Sequence, residues 1–282
     1  MAELVTAVLN TNAHTFAVSP VFNVLERAVI KGMAERIGFA PETCDGVLGP
    51  GGTFNNVTAL MVARHACFPH VRASGWQPDD KPVCFTSVQA HYSIKRGAML
   101  AGMGMDACLP VEASMEGAMS ASALDAEITR CRAEGKTPFF VSCTAGTTVL
   151  GGFDPFTAIR AVIDRHNATL EAPRKIWMHV DGAWGGSLAM SERPELRKLI
   201  SGMELADSVL WNFHKGLGLP IYASTLITNN RPRALEMANQ SCAECAARPA
   251  PLSAAAPQLC VAACNAACPL PLLTSASAST ST

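Results

Sequence analysis

"KIWMHVDGAWGG" (residues 175–186) decides the fold. Its first seven residues place Ile176, Met178 and Val180 on one alternating face and Trp177 on the other, so it reads as a strand with apolar side chains on both sides. It stops on Asp181 with small residues at 182 and 183, so a carboxylate stands at a strand end with room beside it. The same pattern recurs in "PVCFTS" (82–87), "ACLPV" (107–111), "PFFVSCT" (138–144), "SVLWNF" (208–213) and "PIYASTLIT" (220–228), all read as strands.

Helical patterns fill the intervals. "SPVFNVLERAVIKGMAERIGF" (19–39) spaces Val21, Leu25, Ala28, Val29 and Met33 on one face, with Ser19 as N-cap and Pro20 at the first helical position. The glycine-rich "GPGGTFNN" (49–56) reads as a turn opening a helix from about Thr53 to Cys67. Further helices are expected in 91–102, 122–135, 154–167 and from 232. Ser122 and Asp125 are placed like a capping box, Gly135 like a stop, and Pro155 lies early in its helix. Alternation of strands and helices predicts an α/β fold, a mostly parallel sheet flanked by helices. In such sheets ligands sit beyond the C-terminal strand ends.

The bulk properties exclude several classes. The 282 residues carry a net charge of −1 and no basic stripe, so neither nucleic acid nor an anionic membrane is an expected partner. No segment is apolar for long enough to cross a bilayer, and the N-terminus lacks the basic start of a signal peptide. The expected location is cytoplasmic. Cys44, Cys67, Cys84, Cys108, Cys131 and Cys143 lie among apolar residues, as buried free thiols do. Residues 244–282 change character: Ala, Ser, Pro and Cys dominate, without an aromatic residue. That stretch reads as a low-complexity tail, disordered or a mis-translated frame, behind an incomplete domain spanning 10–243. Cys242, Cys245, Cys264 and Cys268 have paired spacing, but with no histidine in the tail and no periodic core they are read as no metal site.

Polar residues gather at the expected strand ends. Gly52 and Thr53 can cradle a phosphate at a helix N-terminus, or form an ordinary capped turn. Asp181 can meet a protonated pyridine nitrogen, or cap the next helix. His91 can lie over an aromatic ring and move protons, or be satisfied locally. Thr144, Thr147 and Thr148 supply hydroxyls or simply shape a turn. Lys215, in "WNFHKGLG" (211–218), is either a snorkelling surface amine or a nucleophile helped by burial. Taken together, these are the parts that hold pyridoxal 5′-phosphate.

"GPGGTFNNVTALMVAR", "HYSIKRGAMLAGMGMD", "CTAGTTVLGGFDP", "HVDGAWGGSLAMS" and "WNFHKGLGLP" resemble, in order and spacing, the group II pyridoxal-phosphate decarboxylases, nearest the glutamate and cysteine-sulfinate branch. The resemblance runs from about Asn10 to Cys242. It implies the large domain of a fold-type I, aspartate-aminotransferase-like enzyme that works as a homodimer, with the small C-terminal domain missing. It implies that Lys215 anchors the cofactor, Asp181 pairs with the pyridine nitrogen, Ala183 packs on the ring and His91 stacks on its other face. Gly52 and Thr53 match phosphate contacts, and Thr144, Asn212 and His214 match further cofactor positions. Phe213 stands where the family usually has proline, and Gly216 where it has methionine or leucine. A long N-terminal segment, a mobile catalytic loop and a carboxylate-binding arginine of the family are not found. The implied reaction removes the α-carboxylate of an acidic amino acid (glutamate, cysteine sulfinate or aspartate). The alternatives are another amino-acid substrate, aromatic or diaminobutyrate, or an inactive fragment.

Overall fold

The structure, a computed structural model, describes residues 2–10, 16 and 18–229. Of these, residues 26–229 belong to one unit, and the described residues before 26 to another. The helices are α1 Ala2–Leu9, α2 Pro20–Ile37, α3 Gly52–Cys67, α4 Val71–Ser74, α5 Ser93–Leu100, α6 Ala121–Ala133, α7 Phe156–Ala168, α8 Pro194–Arg197 and α9 Phe213–Gly216. The strands are β1 Asp45–Gly49, β2 Pro82–Ser87, β3 Cys108–Val111, β4 Thr137–Thr144, β5 Trp177–Gly182, β6 Ser208–Asn212 and β7 Ser224–Thr228.

They form one seven-stranded sheet in the order β1-β7-β6-β5-β4-β2-β3. The run from β3 to β6 is parallel, whereas β7 pairs antiparallel with both β6 and β1. Both faces are covered. Alternate strand residues Val83, Phe85, Val141, Cys143, Met178, Val180 and Val209 join Leu124 and Ile128 of α6 and Ile159 and Ile163 of α7 in one core. Their neighbours Cys84, Phe140, Trp177 and Leu226 join Leu60 and Ala63 of α3 and Ile94 and Ala98 of α5 in the other. Period-two alternation thus feeds two cores, which is why the strands read as continuous apolar runs.

Several expectations need correction. β1 was hidden in the glycine-rich stretch before residue 50, because its partner β7 lies at the far end of the described chain. The strand expected over 220–228 begins only at Ser224, and it reverses the parallel run. α6 is capped by Ser120, whose Oγ accepts from the Ala123 amide at 3.2 Å. Ser122 merely lies beside Ser120, and Asp125 pairs with Arg165 and His166. Gly135 does end α6: its amide donates to Arg132 and that of Lys136 to Cys131, the paired bonds of a Schellman turn. Cys67, Cys84, Cys108, Cys131 and Cys143 are buried free thiols, and Cys44 is half-buried. The helix expected from 232, the remaining cysteines and the tail lie outside the described residues. Among the described residues no helix is long and apolar enough to cross a membrane, and no cluster could hold a metal ion.

Candidate active site

Beyond the C-terminal ends of β4, β5 and β6 lies a cavity of about 710 Å³. Gly52, Thr53, His91, Thr144, Asp181, Ala183, Asn212 and Lys215 line it. His214 does not: its Nδ1 lies 2.8 Å from the Ala223 carbonyl oxygen and 3.2 Å from that residue's amide nitrogen, tying α9 to the start of β7.

Each wall has a local cause. β5 ends in Asp181, whose Oδ1 accepts from the Ala183 amide at 3.0 Å, so the strand turns sharply around its own carboxylate. β4 ends in Thr144, and the loop after it folds back through a bridge from Ala145 to Phe153. Thr147 Oγ1 accepts from the Gly152 amide at 2.9 Å, which fixes the loop segment Thr148–Gly151 at the cavity wall. Beneath it, Asp154 accepts from the Met119 and Thr144 amides at 2.7 and 2.6 Å, and burial pushes its carboxyl up to about 6.

At the N-terminus of α3 the backbone approaches β6 closely. A methyl group added at Gly52 would lie 2.7 Å from Asn212 Nδ2. Asn212 Oδ1 is occupied by the Ser224 hydroxyl at 2.5 Å, and Ser224 in turn accepts from Asn55 Nδ2 at 2.8 Å. The Asn212 amide N–H₂ is thereby left beside Gly52. Gly52 at the start of α3 and the Asn212 amide are the residues that could hold an anionic group here.

The face of β5 toward α3 carries Trp177, His179 and Asp181 at alternate positions. Asn56 of α3, 2% exposed, donates from Nδ2 to Asp181 Oδ2 at 2.7 Å and to Ser93 Oγ at 2.8 Å. Its Oδ1 lies 2.8 Å from His179 Nε2. Ser208 Oγ meets His179 Nδ1 and Trp177 Nε1, each at 2.8 Å. Burial drives the His179 pKa down to about 4, so the ring is neutral at ordinary pH. His91 Nδ1 lies 2.9 Å from Ser93 Oγ, and its ring centroid is 4.1 Å from that of Tyr92. Burial, helped by Lys215 and Arg96 and opposed by Asp181, lowers the His91 pKa.

Lys215 is exposed rather than buried, at the cavity mouth where the following residues Leu217–Tyr222 are exposed as well. Sequence reasoning missed Asn56, Tyr92 and Trp184 among the lining residues. Asn56 had a signal: it lies one helical turn from Gly52, on the same face. The two unusual residues around the lysine have packing reasons. Phe213 is buried edge-on against Trp211, at 5.2 Å and 76°. A Cβ at Gly216 would lie 2.5 Å from that of Ser187, whose Oγ accepts from Trp211 Nε1 at 3.0 Å.

The residues fit pyridoxal phosphate. Thr144 Oγ1 is buried at the cavity and has no hydrogen-bond partner among the described residues, so it offers a bond to a bound molecule. The Gly52 cradle admits no side chain, and Asp181 retains lone pairs beyond those taken by Asn56 and Ala183.

Residues 1–249 match the pyridoxal-dependent decarboxylase conserved domain. Among solved structures, mouse CSAD is 38% identical with a TM-score of 0.79, over 86% of this chain and 48% of that one. The glutamate decarboxylase domain of a Vibrio parahaemolyticus diaminobutyrate-pyruvate transaminase and L-2,4-diaminobutyrate decarboxylase is 29% identical, with a TM-score of 0.73 over 84% and 50%. Oryza sativa TDC, solved with PLP and tryptamine, shares the fold at 21% identity, with a TM-score of 0.75 over 85% and 48%. The chain therefore spans about half the length of these structures. The matched domain and the cavity at the strand ends lead to one conclusion: the chain belongs to the family of pyridoxal-dependent decarboxylases.

Proposed function

We propose that the chain is the cofactor-binding part of a carboxy-lyase that releases the α-carboxylate of an acidic amino acid as carbon dioxide. The observation that carries this reading is the convergence of Lys215, Asp181 and His91, from three separate segments, on one cavity. Gly52, Thr53 and Asn212 would hold the phosphate, and Ala183 and His91 would flank the ring. The Asp181 carboxylate would accept a hydrogen bond from the protonated pyridine nitrogen and so keep the proton on that nitrogen. Lys215 would be the covalent anchor, its amine free of any hydrogen bond or ion pair among the described residues. When bound, pyridoxal phosphate supplies the electron sink for the departing carboxylate. His91, half-buried and with its pKa lowered by desolvation, would hold or return a proton near the reacting carbon.

The acidic-substrate branch is supported by the 38% identity to mouse CSAD. The 29% identity to the Vibrio domain supports a second reading, decarboxylation of another amino acid such as diaminobutyrate. Work as a cytoplasmic homodimer is part of the proposal. Phe54, Val149, Trp184, Ile221 and Tyr222 are large apolar residues left exposed, and a second copy would cover them. The test is release of carbon dioxide from glutamate, cysteine sulfinate, aspartate and diaminobutyrate by the chain with added cofactor. Turnover of the acidic substrates alone supports the proposal; turnover of diaminobutyrate alone supports the second reading, and turnover of none refutes both for this chain.

A further inference from the structure

Asn56 stands where two parts of the site meet. Both of its amide protons are committed, one to Asp181 Oδ2 and one to Ser93 Oγ, at 2.7 and 2.8 Å. A carboxylate only accepts, so the Asn56 nitrogen must face Asp181 and its oxygen must face His179. That oxygen can only accept, which puts the proton of the neutral His179 ring on Nε2. His179 Nδ1 then accepts from the Ser208 hydroxyl, which itself accepts from Trp177 Nε1. The order of donors from Trp177 to Asp181 has a single direction.

The same logic runs toward His91. Ser93 Oγ accepts a hydrogen bond from Asn56 with one lone pair and turns its own hydroxyl proton toward His91 Nδ1 at 2.9 Å. The Ser93 backbone amide also points at that nitrogen, at 3.2 Å. With two donors on Nδ1, the neutral ring carries its proton on Nε2.

We infer that Asn56 is the positioning residue of the site: one buried amide, locked in orientation by His179, fixes the Asp181 carboxylate and, through Ser93, selects the neutral Nε2–H form of His91. Other groups also act on His91. Asp181 favours its cation, Lys215 and Arg96 oppose it, and the Tyr92 ring stacks beside it. None of these is removed by substituting Asn56, and Asn56 makes no hydrogen bond to His91 itself.

The test is the titration of His91 in the full chain, followed by NMR with labelled imidazole nitrogens and assigned with His91→Gln. In wild type a protonated His91 would have to share the Ser93 oxygen with the Asn56 donor, whereas in Asn56→Ala both lone pairs of that oxygen are open to it. The His91 midpoint should then rise by about one pH unit, and its neutral form should become a mixture of tautomers. His179→Ala, which unlocks the amide, should do the same more weakly, whereas His179→Gln retains an N–H near the Nε2 position and should restore the wild-type titration. An unchanged His91 midpoint and tautomer in folded Asn56→Ala overturns the inference. If that variant does not fold, Ser93→Ala cuts only the last link and must move His91 in the same direction; no movement there overturns it equally.

The Asp181 half of the inference rests on the proposed function and is read by fluorescence titration with pyridoxal phosphate. Asn56→Ala should bind at least about tenfold more weakly than wild type, and equal binding refutes that half. If the wild-type chain binds no pyridoxal phosphate, the proposed function fails, while the His91 titration still judges Asn56.

Discussion

Asn56 and Asp181 lie 125 positions apart, yet the amide nitrogen of one donates to the carboxylate of the other at 2.7 Å inside the protein. The contact exists because α3 packs across β5 at the strand's C-terminal end. It joins the helix that opens the anion cradle to the strand that presents the acid. A hydrogen bond to a buried charge contributes about 1.5–3 kcal/mol, so this pair also ties helix to sheet.

Thr144→Val should separate stability from binding. The Thr144 hydroxyl is buried without a partner, and a lone buried hydroxyl costs about 1–3 kcal/mol. Valine has nearly the same shape. Thermal unfolding should therefore shift upward in the free protein, while pyridoxal phosphate should bind several-fold more weakly. A fall in stability with unchanged binding would show that the hydroxyl serves the fold alone.

Asp154 makes stability depend on pH in a stated direction. Its folded pKa is raised from 3.8 to about 6 by burial, so the folded state binds the proton more tightly than the unfolded chain. Its contribution is most favourable below about pH 4 and is lost as pH rises to about 6, by a total on the order of 3 kcal/mol. Asp154→Asn lacks this titration and gives up one of the two amide bonds. Denaturation at several pH values should show the cost of the substitution shrinking between pH 4 and pH 6. A constant cost would contradict the assignment.

Two glycines should respond with opposite signs. Gly216 has Ser187 against the place of its missing side chain, so Gly216→Ala should destabilise by about 1–3 kcal/mol. Gly32, inside α2, has nothing within 4 Å of that position, so Gly32→Ala should stabilise by about 0.5–1 kcal/mol. Thermal melts of the two variants measure both.

The parts that sequence reasoning located were those with local causes. β4, β5 and β6 announce themselves because burial on both faces leaves apolar runs, and Asp181 and Thr144 stand out as polar residues ending them. The Gly52 turn is legible because close backbone approach excludes every side chain. What escaped depends on pairings between distant segments. β1 is five residues of an edge strand whose partner is β7. His179 looked like one more interior strand residue, and its role requires knowing that α3 brings Asn56 to the same face. His214 shares the lysine's motif, yet the turn into β7 draws its ring to Ala223.

The most direct measurement concerns Lys215. The purified chain is incubated with pyridoxal phosphate, reduced with borohydride and digested, and the labelled peptide is located by mass. The expected result is a pyridoxyl group on Lys215 alone, lost in Lys215→Arg and reduced in Asp181→Asn. Label spread over surface lysines, or persisting at equal level after either substitution, would contradict the proposed cofactor site.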